Sequence, residues 1–276
     1  MNKVIEAFGI NTYSYTLSHT VWDALRHLSN KGVRHFELMC YPGHLWASEL
    51  DAAARKELRK KIADHGLNVL SLNVQSLDLN MAAAAPEMRA YTQQTLIDMA
   101  RLAGDLGVAY IIIGPGKANP LYMPPREQLV DRFYKGLDEL HPIARDAGTA
   151  LLIENVPVGY CPDGPGLAKL MDDYGADDIK ILYDVANGYF IREDLGEGLR
   201  SVAKRLKMVH ASDTGLNAWK HDPVGEGTLP FETVPPILNE IGYDELPVLE
   251  IISHNADEGV LSSIERLSKM GWGGRQ

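Results

Sequence analysis

The sequence has only two cysteines, Cys40 and Cys161, in 276 residues. That is too few for a disulfide framework, and their spacing matches no metal-ligand pattern. So sparse a use of cysteine fits a reducing compartment. Positive charge is also scarce: 27 Lys and Arg stand against 37 Asp and Glu, a net charge of −10. An excess of that sign repels phosphodiester backbones and anionic lipid, so neither nucleic acid nor a membrane is an expected partner. No stretch approaches the roughly 20 apolar residues of a membrane span. The opening MNKVIEAFGINTYSYT has no apolar run long enough for a signal peptide, so a soluble, cytoplasmic chain is expected. Low complexity is absent too, since 45% of residues are hydrophobic and 23% charged, which excludes a disordered chain.

What the sequence does contain is alternation. Short apolar, β-branched runs are each followed by a segment of helical spacing. FGINTY (8–13) leads to a helix near 21–30, VRHFELM (33–39) to 50–65, and LNVLSLNV (67–74) to 87–106. VAYIIIG (108–114) leads to 126–147, TALLIENV (149–156) to 166–174, and IKILYDVA (179–186) to 195–205. LKMVHASD (206–213) leads to 231–241, and LPVLEII (246–252) to 257–268. Gly32, Gly66, Gly107, Gly148 and Gly242 fall just past helices, where a left-handed residue turns the chain into the next strand. Runs such as AYIII and KILY are continuously apolar, as in parallel strands covered on both faces. About eight βα units in a chain of this length match an α/β fold of the (β/α)8 TIM-barrel type. The rival, an open doubly wound sheet, usually carries a Gly-rich turn after its first strand. Here that strand runs into NTYSYT instead. Nothing divides the chain, so one TIM-barrel domain over 1–276 is expected, with the tail at 270–276, which contains GWGGRQ, frayed.

Chemistry in such a barrel sits at the carboxyl ends of the strands. Strand 5 ends in Glu154, strand 6 in Asp184, strand 7 in His210 and strand 8 in Glu250. Singly, each reads as a helix cap or a satisfied core residue. Together, three buried carboxylates cost several kcal/mol per charge without a counterion. No Lys or Arg is embedded in those strand ends to neutralise them. A divalent cation is the simplest solution, and this donor set suits Mn2+, Mg2+, Co2+ or Zn2+. A metal-free polar network is the competing account.

The ordered set Glu154, Asp184, His210 and Glu250 resembles the sugar phosphate isomerase/epimerase superfamily. That group includes xylose isomerase-like barrels, ketose 3-epimerases, inosose-processing enzymes and apurinic endonucleases. WKHDPVGEGTLPFE (219–232) is similar to the superfamily's His-x-x-x-Gly-x-Gly stretch after strand 7. The resemblance spans essentially the whole chain and is specific for fold and metal, but poorly specific for substrate. It implies that all four residues are metal ligands, with Mn2+ the first candidate, that His221 faces the site, and that Gly225 and Gly227 let the loop pass close to substrate. There are departures. Apurinic endonucleases carry a His where Asn187 stands, an acid where Trp219 stands, and a His-bearing turn where strand 4 ends in GPGK (114–117). Ketose 3-epimerases carry an acid where Tyr160 stands, and a substrate Arg with no counterpart in DTGLNAWK (213–220).

The resemblance implies a divalent-metal-dependent isomerase or epimerase of a sugar, keto-sugar or cyclitol. A metal-stabilised enediolate would form, with Glu154 and Glu250 exchanging the proton. The alternative is a metal-dependent lyase, dehydratase or hydrolase acting on an oxidised sugar or glycoside, and a third reading is a barrel that binds without catalysis. Asn11, Glu37 and Asn73 close strands 1 to 3 and, with His221, Asn187 and Lys117, are candidates for substrate binding. Trp22, Tyr41, Trp46 and Trp219 are candidates for an apolar wall, and YPGHLW (41–46) for a lid. The expected partner is a small-molecule carbohydrate. A homodimer or homotetramer is common for such barrels, although no stretch marks an interface.

Overall fold

The computed structural model describes residues 2–74 and 78–273. Eight parallel strands close into a barrel in sequence order: β1 (Gly9–Asn11), β2 (His35–Cys40), β3 (Asn68–Val74), β4 (Tyr110–Ile113), β5 (Ala150–Glu154), β6 (Lys180–Asp184), β7 (Leu206–Ala211) and β8 (Val248–Leu249). The expected (β/α)8 architecture is therefore the observed one. The helices are α1 (Asn2–Ile5), α2 (Val21–Ser29), α3 (Ala52–Asp64), α4 (Pro86–Leu106), α5 (Arg126–Ala147), α6 (Gly164–Tyr174), α7 (Val185–Phe190), α8 (Leu195–Val202), α9 (Val234–Glu240) and α10 (Ala256–Lys269). Among the described residues no helix is long and apolar enough to cross a membrane.

Local chemistry sets the boundaries. The side chains of Asp51, Asp163 and Asp194 each accept a backbone N–H in the first turn of α3, α6 and α8. Gly107 and Gly148 end the two longest helices at φ 74° and 81°, a region that side chains with a Cβ rarely enter.

Strand residues alternate between two faces, and the core divides accordingly. Outward residues such as Phe36, Leu38, Ile111, Ile153, Ile181 and Val209 pack beneath the helices in one large cluster. Inside the barrel, Ile112, Leu152, Leu182, Met208 and Val248 form a separate small cluster. Gly9 of β1 makes room for it, because a Cβ there would lie 2.7 Å from Leu70 Cδ1 and 2.9 Å from Val248 Cγ2. This inner cluster is the floor of the site. Two residues beyond Leu152, Leu182, Met208 and Val248 stand Glu154, Asp184, His210 and Glu250, all of them buried.

Most element boundaries shift by one to three residues from the sequence reading, and three departures bear on the site or the tail. β6 stops at Asp184 rather than near 186, because the Asp184 side chain accepts the Asn187 N–H at 2.9 Å and starts α7. β8 is only two residues long; Glu250 N–H still reaches Ala211 O of β7 at 3.3 Å, but Ile252 N–H bonds to His221 O at 2.7 Å and so pairs with a loop instead. In the tail expected to fray, Trp272 is buried against Phe231 and its Nε1 donates to Phe231 O at 2.9 Å. Residues 274–276 of that tail lie outside the described residues.

Candidate metal centre

Four strand ends bring Glu154, Asp184, His210 and Glu250 together, and one ligand atom from each lies within 4.8 Å of all the others. His210 Nδ1 is 3.4 Å from Glu250 Oε2, 3.7 Å from Asp184 Oδ2 and 3.9 Å from Glu154 Oε1. Asp184 Oδ2 and His210 Nδ1 are buried and make no hydrogen bond. An unsatisfied buried polar atom costs about 1–3 kcal/mol, so two of them facing one another call for an occupant. Three carboxylates and an imidazole fit a divalent cation.

The electrostatics follow from burial and charge. Burial pushes the Glu154 carboxyl well up, and the negative Glu250 beside it adds to the rise. Burial works against a charged His210, yet the carboxylates around it, Glu37 first, lift its pKa well above the ordinary value. Burial also opposes ionised Asp184, but the imidazoles of His210 and His221 and the Asn187 N–H hold its pKa below normal. At 3.7 Å the His210–Asp184 contact acts as Coulomb attraction, being too long for a hydrogen bond.

Supporting residues surround the four. Asn11 and Asn73 each donate through Nδ2 to Glu37 Oε1, at 2.6 and 3.0 Å, and to Glu250 Oε1, at 3.3 Å. Glu37 is fully buried and bonds to His210 Nε2. Burial raises the Glu37 carboxyl, but the His210 charge and the Ser71 and Asn73 donors outweigh this and leave it below its ordinary value. Asn187 donates through Nδ2 to Glu154 Oε1 at 3.3 Å and to Asn155 O at 2.9 Å, while its Oδ1 accepts the Trp219 Nε1–H at 2.7 Å. An indole N–H only donates, so the orientation of this amide is determined. Asn155 clamps the Asp184 backbone, accepting its N–H at 2.7 Å and donating to its carbonyl at 3.1 Å.

The loop after β7 is organised by buried Asp213. Its Oδ1 accepts the N–H of Thr214 at 2.9 Å and of Leu229 at 3.1 Å, and its Oδ2 that of Gly225 at 2.7 Å. A Cβ on Gly227 would lie 2.4 Å from Asp213 Oδ1. Gly225 and Gly227 thus serve the wrapping of this loop, not a contact with the cavity. The wrap delivers His221, whose Nδ1 is 2.9 Å from Ser212 Oγ, 3.3 Å from Glu250 Oε2 and 3.7 Å from Asp184 Oδ2.

Above the cluster opens a cavity of about 320 Å3, with Glu154, Glu250, Asn73, Asn187 and His221 at its polar end and Tyr13, Met39, Val156, Trp219 and Ile252 as apolar walls. Lys220, also in its lining, pairs with Asp222 at 3.1 Å. Of the other sequence candidates, Asn11 and Glu37 are buried beside the cluster and do not line the cavity. Lys117 is bridged to Gly159 and lines a neighbouring crevice. Trp22 and Trp46 line a separate depression between α2 and α3. Tyr41 N–H bonds to Leu45 O at 3.0 Å in a tight turn whose residues do not line the cavity. Tyr160 is buried away from it with its hydroxyl unpartnered. Four of the five wall residues were missed from the sequence, yet carried a readable signal. Met39 lies two positions beyond Glu37 on β2, the stride that returns a side chain to the same face, and Tyr13, Val156 and Ile252 lie two positions beyond Asn11, Glu154 and Glu250, just past their strands. Ser71, two before Asn73, follows the same rule.

Known proteins share this barrel fold. The family model for the xylose isomerase-like TIM barrel matches residues 25–270. The uncharacterized protein MJ1311 of Methanocaldococcus jannaschii is 24% identical over 262 residues, covering 92% of this chain and 86% of that one. Among solved structures, a D-tagatose 3-epimerase-like protein superposes with a TM-score of 0.80 at 23% identity, covering 95% of this chain and 96% of its own. An L-ribulose 3-epimerase superposes at 0.76 with 20% identity, covering 96% and 95%. At such identities the structural likeness speaks for the fold.

Proposed function

The chain belongs to the xylose isomerase-like TIM-barrel family, and from that premise we propose that it is a divalent-metal-dependent isomerase or epimerase of a sugar, keto-sugar or cyclitol. One observation carries the reading: four ligand-bearing side chains converge with Asp184 Oδ2 and His210 Nδ1 buried and unpartnered. The sugar epimerase names of two similarly folded proteins support carbohydrate as the substrate class. Mn2+ is the first candidate cation, and Mg2+, Co2+ and Zn2+ suit the same donors.

A bound divalent ion supplies Lewis acidity to a ketone and its neighbouring hydroxyl. Glu154, Asp184, His210 and Glu250 would hold it. Glu154 ends β5 and Glu250 directly follows β8, with β6 and β7 between them, so they would flank a substrate seated in the mouth. One takes a proton from the carbon next to the carbonyl, and the other returns one. Return to the opposite face of that carbon epimerises it; return to the adjoining carbon interconverts aldose and ketose. Asn73, Asn187 and His221 offer hydrogen bonds to hydroxyls, and the walls of Tyr13, Met39, Val156, Trp219 and Ile252 cover the carbon skeleton and exclude water.

The test is a panel of ketoses, keto-sugars and cyclitols incubated in deuterated buffer with Mn2+, using wild type, Glu154→Gln and Glu250→Gln. The expected outcome is an isomeric product of unchanged heavy-atom composition carrying solvent deuterium, with turnover lowered about 100-fold or more in each variant. Unchanged deuterium incorporation in both variants would refute the two-carboxylate scheme. A product lighter by one water would replace isomerisation with dehydration.

A further inference from the structure

Glu37 is a fourth buried carboxylate beside the cluster, yet it is not one of the four converging ligands. It is fully enclosed and lines no part of the cavity, so it is out of reach of a substrate held there. Its neighbours are all donors. Oε1 accepts from Asn11 Nδ2 at 2.6 Å and Asn73 Nδ2 at 3.0 Å, and Oε2 accepts from Ser71 Oγ at 2.6 Å. His210 Nε2 lies 3.0 Å from Oε1 and 3.2 Å from Oε2. Register explains the meeting, since Asn11 and Ser71 sit opposite Glu37 on the flanking strands β1 and β3, and His210 reaches it from β7 across the barrel interior. The Asn11 amide is itself oriented, because its Oδ1 accepts the Tyr13 N–H at 2.7 Å.

An ionised carboxylate only accepts hydrogen bonds, so His210 Nε2 must carry a hydrogen. The neutral ring then has its lone pair on Nδ1. That is the buried atom without a partner, and it faces Glu154, Asp184 and Glu250. We propose that Glu37 is a positioning residue: it anchors the Nε2 edge of His210 and thereby commits Nδ1 to the cation. The proposal rests on the reading of the cluster as a cation site. Carboxylates that hold the far nitrogen of a ligating histidine fix its tautomer and ring plane, and their loss typically weakens metal binding 10- to 100-fold. Glu37 reaches a second ligand as well, because Asn11 and Asn73, which grip its Oε1, also hold Glu250 Oε1 and leave Glu250 Oε2 turned toward His210.

The experiment is a titration of the metal-free full chain with Co2+ alone, read by visible absorption and by competition with a chelator. Wild type is compared with Glu37→Gln and with Ser71→Ala; Ser71 hydrogen-bonds to Glu37 and Met208 and to none of the four ligands. Glutamine keeps the shape but presents an amide nitrogen to two or more of the four donors. Its Co2+ affinity is expected to fall about 10- to 100-fold with a changed band shape, and Ser71→Ala to show a smaller loss in the same direction. A merely structural Glu37 would lower the melting temperature and leave affinity and spectrum alone. A folded Glu37→Gln with wild-type affinity and spectrum overturns the proposal. If Glu37→Gln does not fold, wild-type affinity in Ser71→Ala overturns it. Failure of wild type to take up Co2+ removes the cation site itself, an outcome distinct from wild-type uptake by the variants.

Discussion

Adding Mn2+ to the metal-free protein should raise its melting temperature, and by more at pH 8 than at pH 6. A ligand at 100 times its Kd that binds only the folded state stabilises it by about 2.7 kcal/mol. For 276 residues, an unfolding entropy of about 2.1 cal/mol/K per residue gives about 0.6 kcal/mol/K in total, so the shift is about 5 °C. The pH dependence follows from two groups. His210 is lifted above its unfolded value by Glu37 and the other carboxylates despite burial, so its stabilising contribution is complete below about pH 6.5 and is lost as pH rises through the folded pKa. Glu154, raised by burial and by Glu250, costs stability as it ionises above its unfolded value. Both effects weaken the metal-free chain as pH rises. A cation needs both groups deprotonated, so its affinity grows over the same range. Glu154→Gln keeps an acceptor for Asn187 Nδ2 but removes the ionisation, so at pH 8 it should melt higher than wild type without metal and respond little to Mn2+. The assay is thermal unfolding with chelator or Mn2+ across pH. A Mn2+ shift of equal size at pH 6 and pH 8, or one retained in full by Glu154→Gln, would refute the reasoning.

Two further outcomes follow from single hydrogen-bond networks. Trp219→Phe deletes the 2.7 Å indole bond and leaves Asn187 Oδ1 without its donor. At about 1–3 kcal/mol for an unsatisfied buried acceptor, the metal-free melting temperature should fall by about 2–5 °C while the Mn2+-induced shift stays, and loss of that shift would contradict the placement. Asp213→Asn keeps one carboxyl-like oxygen but lacks a second to serve the backbone N–H groups of Thr214, Gly225 and Leu229. A cost of about 2 kcal/mol, near that of a hydrogen bond to a charged group, lowers the melting temperature by roughly 3 °C. Limited proteolysis should cut sooner within 214–228, and unchanged cleavage there would deny Asp213 its organising part.

The barrel was readable because its strands are covered on both faces and its helices end in glycine. Continuous apolar runs such as AYIII and the punctuation at Gly107 and Gly148 leave few arrangements open, and both glycines take the left-handed backbone that their position demands. The reading failed where one residue does two things. Asp184 terminates β6 by capping α7 with Oδ1, so the apolar letters after it, which continue the strand on paper, begin a helix. LPVLEII failed differently. Its apolar pattern extends through Ile252, but hydrogen bonding to β7 does not, because the long loop from β7 brings His221 O to Ile252 N–H. Apolar patterning reports burial, not which backbone supplies the partner.

The candidate site shows what a two-residue stride along each strand encodes and what it does not. Leu152, Leu182, Met208 and Val248 make the floor, and two residues further along the same segments stand Glu154, Asp184, His210 and Glu250. Direction is therefore in the sequence. Height is not, because it depends on the stagger between strands. Counting strand ends treats Asn11, Glu37 and Asn73 as equals of Glu154, yet Asn11 and Glu37 are buried without lining the cavity while Asn73 and Glu154 reach it. Closure of the barrel also makes neighbours of residues distant in the chain, such as Glu37 and His210. Whether a strand-end carboxylate holds a cation or holds the histidine that does so is decided by what stands across the barrel. For Glu37 that is the protonated edge of an imidazole and three further donors, a setting that satisfies the carboxylate and leaves it no lone pair to turn toward the cavity.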